Sequence, residues 1–209
     1  LTTWVETSLL RAIWYPTTVA TLSWSIKQVI KDALERTADD AVIDSVLPFR
    51  LNDFGSRGAS SYETAMLGGM SHLVNFMGTD TGPGVLGAMK FYGAELDPTK
   101  EVFPGTGIMT SPGYSIPAAE HSTITSWGRE NEDDAFLNML KQFGGPGRLV
   151  AVVSDSYDFF AAVERWGTTL KADVEAMGGT LVIRPDSGDP TVVPVQAIDR
   201  LGDLFGYTV

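Results

Sequence analysis

Cysteine is absent from all 209 residues, so neither a disulfide nor a thiolate-held metal contributes to this fold. Histidine is almost as scarce, with only His72 and His121. Long apolar runs are missing: none reaches the roughly 18 residues a membrane helix needs, and no signal peptide stands at the start. These absences make a cytoplasmic protein, without a membrane partner, the expectation. Positive charge is also in short supply. Fifteen Lys and Arg against 26 Asp and Glu leave a formal charge of −11, which argues against nucleic acid as a partner. A few well-placed arginines can still serve a small anionic substrate. Low-complexity tracts, linkers and short internal repeats are absent too.

What is present is an ordinary globular balance, 44% hydrophobic and 20% charged, with enough apolar content for a core. Residues 1–42 read as a helical segment. Thr3 to Ile13 has helical spacing, Pro16 follows, and Leu22, Ile26, Val29, Ile30, Ala33 and Leu34 predict a second amphipathic helix. From 43 to 209 short strands alternate with polar clusters and helices. The predicted strands are Phe49 to Gly55, His72 to Phe76, Tyr114 to Ile116, Leu149 to Val153 and Thr180 to Ile183. Ser60 and Glu63 have capping-box spacing, which predicts a helix start at Ser61.

Five strand–cluster–helix units imply a parallel α/β architecture. Reactive residue types recur after every strand, which favours an eight-stranded barrel over an open sheet. Five units cannot close such a barrel, so an incomplete one that continues beyond the chain is expected. The chain starts at Leu1 and ends at Val209 where a new strand could begin, as a fragment would. The Gly-, Pro- and Thr-rich stretch from Asp97 to Pro112 is long for a barrel connection and reads as a mobile insertion.

The strand ends collect Phe54, Arg57, Asp80, Ser115, His121, Ser154, Asp158, Arg184 and Asp186. Together they suit a substrate that is part flat ring and part phosphorylated sugar. Arg57 and Arg184 can bond a phosphate or a carbonyl, and Phe54 offers a stacking face. Asp158 and Asp186 can hold ribose hydroxyls or magnesium-bound water. His121, in Pro112 to Trp127, is the one side chain there suited to proton or phosphoryl transfer near neutrality. Each feature has a plainer reading. A lone histidine often caps a helix or sits in a loop, and Arg184-Pro185-Asp186 can be a strand-end salt bridge. Asp53-Phe54-Gly55 lacks the other kinase motifs, and Gly78 to Gly84 lacks the Walker lysine.

Five stretches carry a closer likeness: Asp53-Phe54-Gly55-Ser56-Arg57-Gly58, His72 to Thr81, Pro112 to Trp127, Val153 to Asp158 and Ile183 to Gly188. In order and spacing the chain resembles the nicotinamide phosphoribosyltransferase family over most of its length. The resemblance implies an incomplete barrel of the type II phosphoribosyltransferase kind and a homodimer with sites at the subunit interface. It implies a reaction joining nicotinamide to 5-phosphoribosyl 1-pyrophosphate, which gives nicotinamide mononucleotide and pyrophosphate with magnesium required.

By the same resemblance His121 is the histidine phosphorylated by ATP, and Phe54 stacks on the base. Asp80, Ser115 and Arg184 bind the amide, while Arg57, Asp158 and Asp186 serve the ribose, phosphate and pyrophosphate. A carboxylate at Asp80 accepts from a nicotinamide N–H and repels nicotinate. Ser56, where an aromatic or other large residue is commoner, Tyr62 and the loop around Phe103 to Thr110 depart from the pattern. The family's N-terminal stacking aromatic and C-terminal phosphate loop lie outside the 209 residues, so this stretch alone is expected not to catalyse. The alternatives are a nicotinate-using enzyme and a non-catalytic fragment or subunit.

Overall fold

The computed structural model describes residues 1–206; the strand expected to begin at Val209 lies outside the described residues. The chain divides into two compact units, Leu1–Ser115 and Ile116–Val209.

In the first unit α1 (Thr2–Leu9) passes through a π-helical turn, Leu10–Trp14, into α2 (Tyr15–Thr37). The two expected helices are thus one nearly continuous rod. Pro16 does not break it; it stands just after the π-helical turn, whose wider hydrogen-bond spacing carries the rod past the missing N–H. Ala38, in extended conformation, ends α2, and the Asp39 carboxylate accepts the Ala41 N–H to start α3 (Asp40–Val46).

Two short α/β steps follow: β1 (Asn52–Asp53), α4 (Tyr62–His72), β2 (Gly78–Thr79) and α5 (Gly82–Tyr92). Ser61 is the cap of α4, its Oγ accepting the Thr64 N–H at 3.1 Å, so the helix begins one residue later than predicted. The predicted strand from His72 to Phe76 does not form. His72 ends α4 instead; its buried ring stacks on Phe76 at 5.5 Å and its Nε2 bonds the Gly78 carbonyl at 2.9 Å. That pair of contacts folds 73–77 into a turn and moves the strand to Gly78.

β1 and β2 are parallel, with Asn52 opposite Gly78 and Asp53 opposite Thr79. Tyr114 extends the pair as a parallel bridge to Gly78, held by Thr79 N–H to its carbonyl at 2.8 Å. Behind these strands α4 and α5 cross backbone to backbone: a methyl on Gly69 would come within 2.8 Å of Gly84 Cα, and one on Gly84 within 2.6 Å of Gly69 Cα. The stretch expected to be a mobile insertion forms an antiparallel hairpin, β3 (Asp97–Glu101) with β4 (Met109–Thr110). The Glu101 carboxylate accepts the Gly105 and Gly107 N–H groups of its tip. Phe103 packs edge-on against Phe49.

The second unit contains α6 (His121–Thr125), α7 (Glu132–Phe143), β5 (Leu149–Val153), α8 (Phe159–Gly167), α9 (Lys171–Met177), β6 (Thr180–Arg184) and α10 (Val193–Phe205). β5 and β6 run parallel from Leu149 opposite Thr180 to Val153 opposite Arg184, as the apolar runs predicted. Ala118 bridges Ala151 in parallel. The core packs Val150, Val152 and Val153 against Phe136 of α7 and Trp166 of α8, all fully buried, with the two rings stacked at 4.6 Å.

Strand–helix alternation behind a helical segment is therefore present. Among the described residues the strands form three separate pairs and no closed barrel. No helix there is long and apolar enough to cross a membrane.

Candidate functional site

In the first unit the polar residues gather where β1 and β2 end. Phe54 follows β1 and is 43% exposed, beside a cavity of about 330 Å3 that also touches Asn52, Gly68 and His72. Arg57 stands exposed in the 3-10 turn Gly55–Gly58. Asp80 leaves β2 with its backbone N–H on the Asp53 carbonyl at 2.9 Å. Its side chain is held on both sides: Asn52 Nδ2 donates to Oδ2 at 2.7 Å, and the Ser115 hydroxyl donates to Oδ1. Phe54, Asp80 and Ser115 thus meet at neighbouring strand ends, with Asn52 as a fourth member absent from the candidate set. Its side of β1 could have been read from alternation, but its bond to Asp80 needs the parallel register.

In the second unit the centre is His121, the first residue of α6. Glu120 and Thr123 form a reciprocal capping box that fixes this short helix. The imidazole Nε2 lies 3.1 Å from Asp155 Oδ1, and Nδ1 lies 3.9 Å from Asp186 Oδ2. Asp155 is the residue sequence reasoning passed over. Its side chain is only 4% exposed, whereas Asp186 is 53% exposed and the imidazole 42%. Asp155 Oδ2 accepts the Asp186 backbone N–H at 3.0 Å and the Ser187 hydroxyl. One buried carboxylate therefore ties the loop after β6 to the imidazole. Within Ser154 to Asp158 spacing gave no reason to prefer it, since Asp158 looked equally available.

Burial pushes the Asp155 carboxyl up, but hydrogen bonds from Ser187, the Asp186 amide and His121 together outweigh it and hold it below the usual aspartate range. A lowered native value means stability that is complete above the ordinary value of 3.8 and is lost as pH falls through the native one. Denaturant titrations should show the destabilisation by Asp155→Asn at full size near neutrality and shrinking below pH 3.8. A destabilisation that does not vary with pH would contradict this.

The other candidates divide. Arg184 Nη2 donates to the Ala119 carbonyl at 3.0 Å, and its guanidinium lies 4.0 Å from Glu120. Its Nε is buried with no hydrogen-bond partner, so the group has an unused donor in a polar setting. The plain strand-end bridge from Arg184 to Asp186 is not what forms. Asp158 caps α8, with Oδ1 accepting the Ala161 N–H at 3.0 Å, and is exposed. Ser154 is fully buried: it donates to the Val152 carbonyl and accepts from the Trp166 indole at 3.1 Å.

The profile of the nicotinate phosphoribosyltransferase (NAPRTase) family matches residues 49–209. A nicotinamide phosphoribosyltransferase of Xanthomonas campestris pv. campestris (strain 8004) is 54% identical over 99% of this chain and 40% of that protein. Nicotinamide phosphoribosyltransferases of Acinetobacter baylyi and Mycoplasma pneumoniae are 32% and 31% identical, over 99% and 100% of this chain and 39% and 43% of theirs. The chain thus spans about 40% of the length of the curated relatives it matches. With that profile running through both groups of strand-end residues, the chain belongs to the nicotinate phosphoribosyltransferase family.

Proposed function

We propose that the protein of which these residues form part joins nicotinamide to 5-phosphoribosyl 1-pyrophosphate in NAD salvage, releasing nicotinamide mononucleotide and pyrophosphate. The observation that carries this reading is Asp80, a carboxylate fixed by two neighbours at a strand end one residue-step from the exposed Phe54 ring. Phe54 stacks on the pyridine ring, worth roughly 0.5–1.5 kcal/mol beyond its buried area. Asp80 accepts from the carboxamide, with Ser115 beside it, and Arg184 offers its donors to the carbonyl. In this reading the two units are parts of an incomplete barrel of the type II phosphoribosyltransferase kind, in a cytoplasmic homodimer. The exposed Trp4, Leu9, Ile13 and Trp14 along the N-terminal rod offer apolar surface for another chain to cover.

In the transfer step the pyridine nitrogen forms a bond to ribose C1 as the C1–oxygen bond to pyrophosphate breaks. Positive charge grows at C1, and nearby carboxylates stabilise it. Arg57 and the exposed Asp158 and Asp186 hold the ribose and its phosphates. Among the described residues no group of three His, Cys, Asp or Glu can cage a metal ion alone. The exposed carboxylates of Asp158 and Asp186 suit magnesium held by few protein ligands and mainly by substrate phosphates. Bound so, magnesium would neutralise charge on the departing pyrophosphate.

ATP enters as a coupling substrate through His121. With Nε2–H donating to Asp155, the Nδ1 lone pair faces outward and can attack the γ-phosphorus, releasing ADP. Turnover of nicotinamide and of nicotinate by the full-length chain tests the reading. Incorporation of nicotinamide in clear preference is expected; preference for nicotinate would replace it with the acid-using alternative. Loss of all turnover in the full-length chain would favour a non-catalytic subunit.

A further inference from the structure

The geometry points to Asn52 as the residue that sets base selectivity, by locking the Asp80 carboxylate from the neighbouring strand. This inference rests on the nicotinamide reading and extends it to a residue outside the base contacts.

Three observations converge on it. Asn52 Nδ2 donates to Asp80 Oδ2 at 2.7 Å, across the β1–β2 register that sets Asn52 opposite Gly78. The amide lies close over β2: a Cβ at Gly78 would come within 2.8 Å of Asn52 Oδ1, so the glycine leaves that space to the amide. Gly78 in turn is anchored through its carbonyl by His72 Nε2 at 2.9 Å, inside the buried turn that follows α4. The chain of contacts ends on a carboxylate whose other oxygen the Ser115 hydroxyl holds.

The effect on selectivity follows from donor and acceptor counting. An ionised carboxylate only accepts, and each of its oxygens has more than one lone pair. Asn52 and Ser115 occupy one direction on each oxygen and fix the carboxylate plane. The remaining lone pairs form a pre-set acceptor for the two N–H donors of a carboxamide. Nicotinate presents only acceptors to the same surface and is refused. Without Asn52 the carboxylate plane can rotate, and the pre-set acceptor for the carboxamide is lost. Asn52 is therefore a positioning residue, acting on the base through Asp80.

The test uses the full-length enzyme with Asn52→Ala and Asn52→Asp, measuring kcat and KM for nicotinamide, nicotinate and 5-phosphoribosyl 1-pyrophosphate, with thermal unfolding as a control. Asn52→Ala should raise the nicotinamide KM about tenfold, the scale of a lost bond to a charged group. It should leave kcat and the KM for 5-phosphoribosyl 1-pyrophosphate within about twofold, the pattern of a loss confined to base binding. Asn52→Asp keeps the shape but sets two carboxylates face to face, and their repulsion turns the Asp80 plane out of its held orientation. It should lower the nicotinamide-to-nicotinate ratio of kcat/KM further than alanine does. A folded variant with an unchanged ratio, or one that loses kcat alone, overturns the role of Asn52 while nicotinamide-selective wild type keeps the functional reading. Wild type that prefers nicotinate or uses neither base overturns that reading, and the inference with it.

Discussion

On the proposed reading, replacing His121 with alanine in the full-length chain is expected to abolish ATP-stimulated turnover and acid-labile labelling of the protein by ATP, with nicotinamide binding intact. The expectation comes from the division of labour at the ring. Nε2 faces a carboxylate that is 4% exposed and itself held by Ser187 and the Asp186 amide, so the ring cannot turn without breaking that set. Nδ1 is left outward with Asp186 Oδ2 at 3.9 Å. No other described histidine can replace it, since the His72 ring is buried against Phe76 with Nε2 on the Gly78 carbonyl. Asp155→Asn should free the ring to take the other tautomer and reduce labelling by roughly a hundredfold or more, since an Asp→Asn change beside a catalytic imidazole can cost up to about 10⁴. Radiolabelled ATP followed by acid and alkali treatment reads both variants. Full ATP coupling in His121→Ala would remove the phosphoryl role.

The second large effect belongs to Asp80. Asp80→Ser should lower the preference for nicotinamide over nicotinate by roughly two orders of magnitude or more, because a site built to pair a donor rejects its absence strongly and the charge that repels the acid is gone. Most of the change should come from poorer use of nicotinamide, with a smaller rise for nicotinate. Competition between the two bases for a limiting supply of 5-phosphoribosyl 1-pyrophosphate measures this directly. A ratio that does not move would show that the amide is read elsewhere.

Much of the second unit was legible in the sequence because its signals are local. Leu149 to Val153 is a continuous apolar run with one structural solution, and Phe136, Met139 and Leu140 recur at helical spacing on the face that packs against it. The first unit was harder to read. His72 to Phe76 has strand composition, yet a histidine that reaches forward to the Gly78 carbonyl bends it into a helix end and a turn. Pro16 looked like a break because proline usually is one, and the π-helical turn before it gave no composition signal.

The hairpin at Asp97 to Thr110 was missed for a related reason. Its tip is organised by the Glu101 carboxylate on two glycine N–H groups, a pairing across sequence that propensity does not contain. The candidate site shows the same boundary. Residue types at strand ends were readable, but the two side chains that aim them were not. Asn52 and Asp155 act through neighbours 28 and 34 residues away. Ser154 shows the converse: it stands at a strand end and has the right chemistry, but it is turned inward to the Trp166 indole.

The close crossing of α4 and α5 bears on how this chain can be engineered. Exchanging a helical glycine for alanine is a common route to thermal robustness, because it restricts the unfolded chain. At Gly69 and Gly84 the added methyl would meet backbone that has nowhere to retreat. The wedge would also reach the segment from Thr81 to Gly84 that leads out of β2 into α5. A stabilisation campaign that treats all helical glycines alike would thus disturb the strand end that carries Asp80 from a distance, and these two positions are better left as they are.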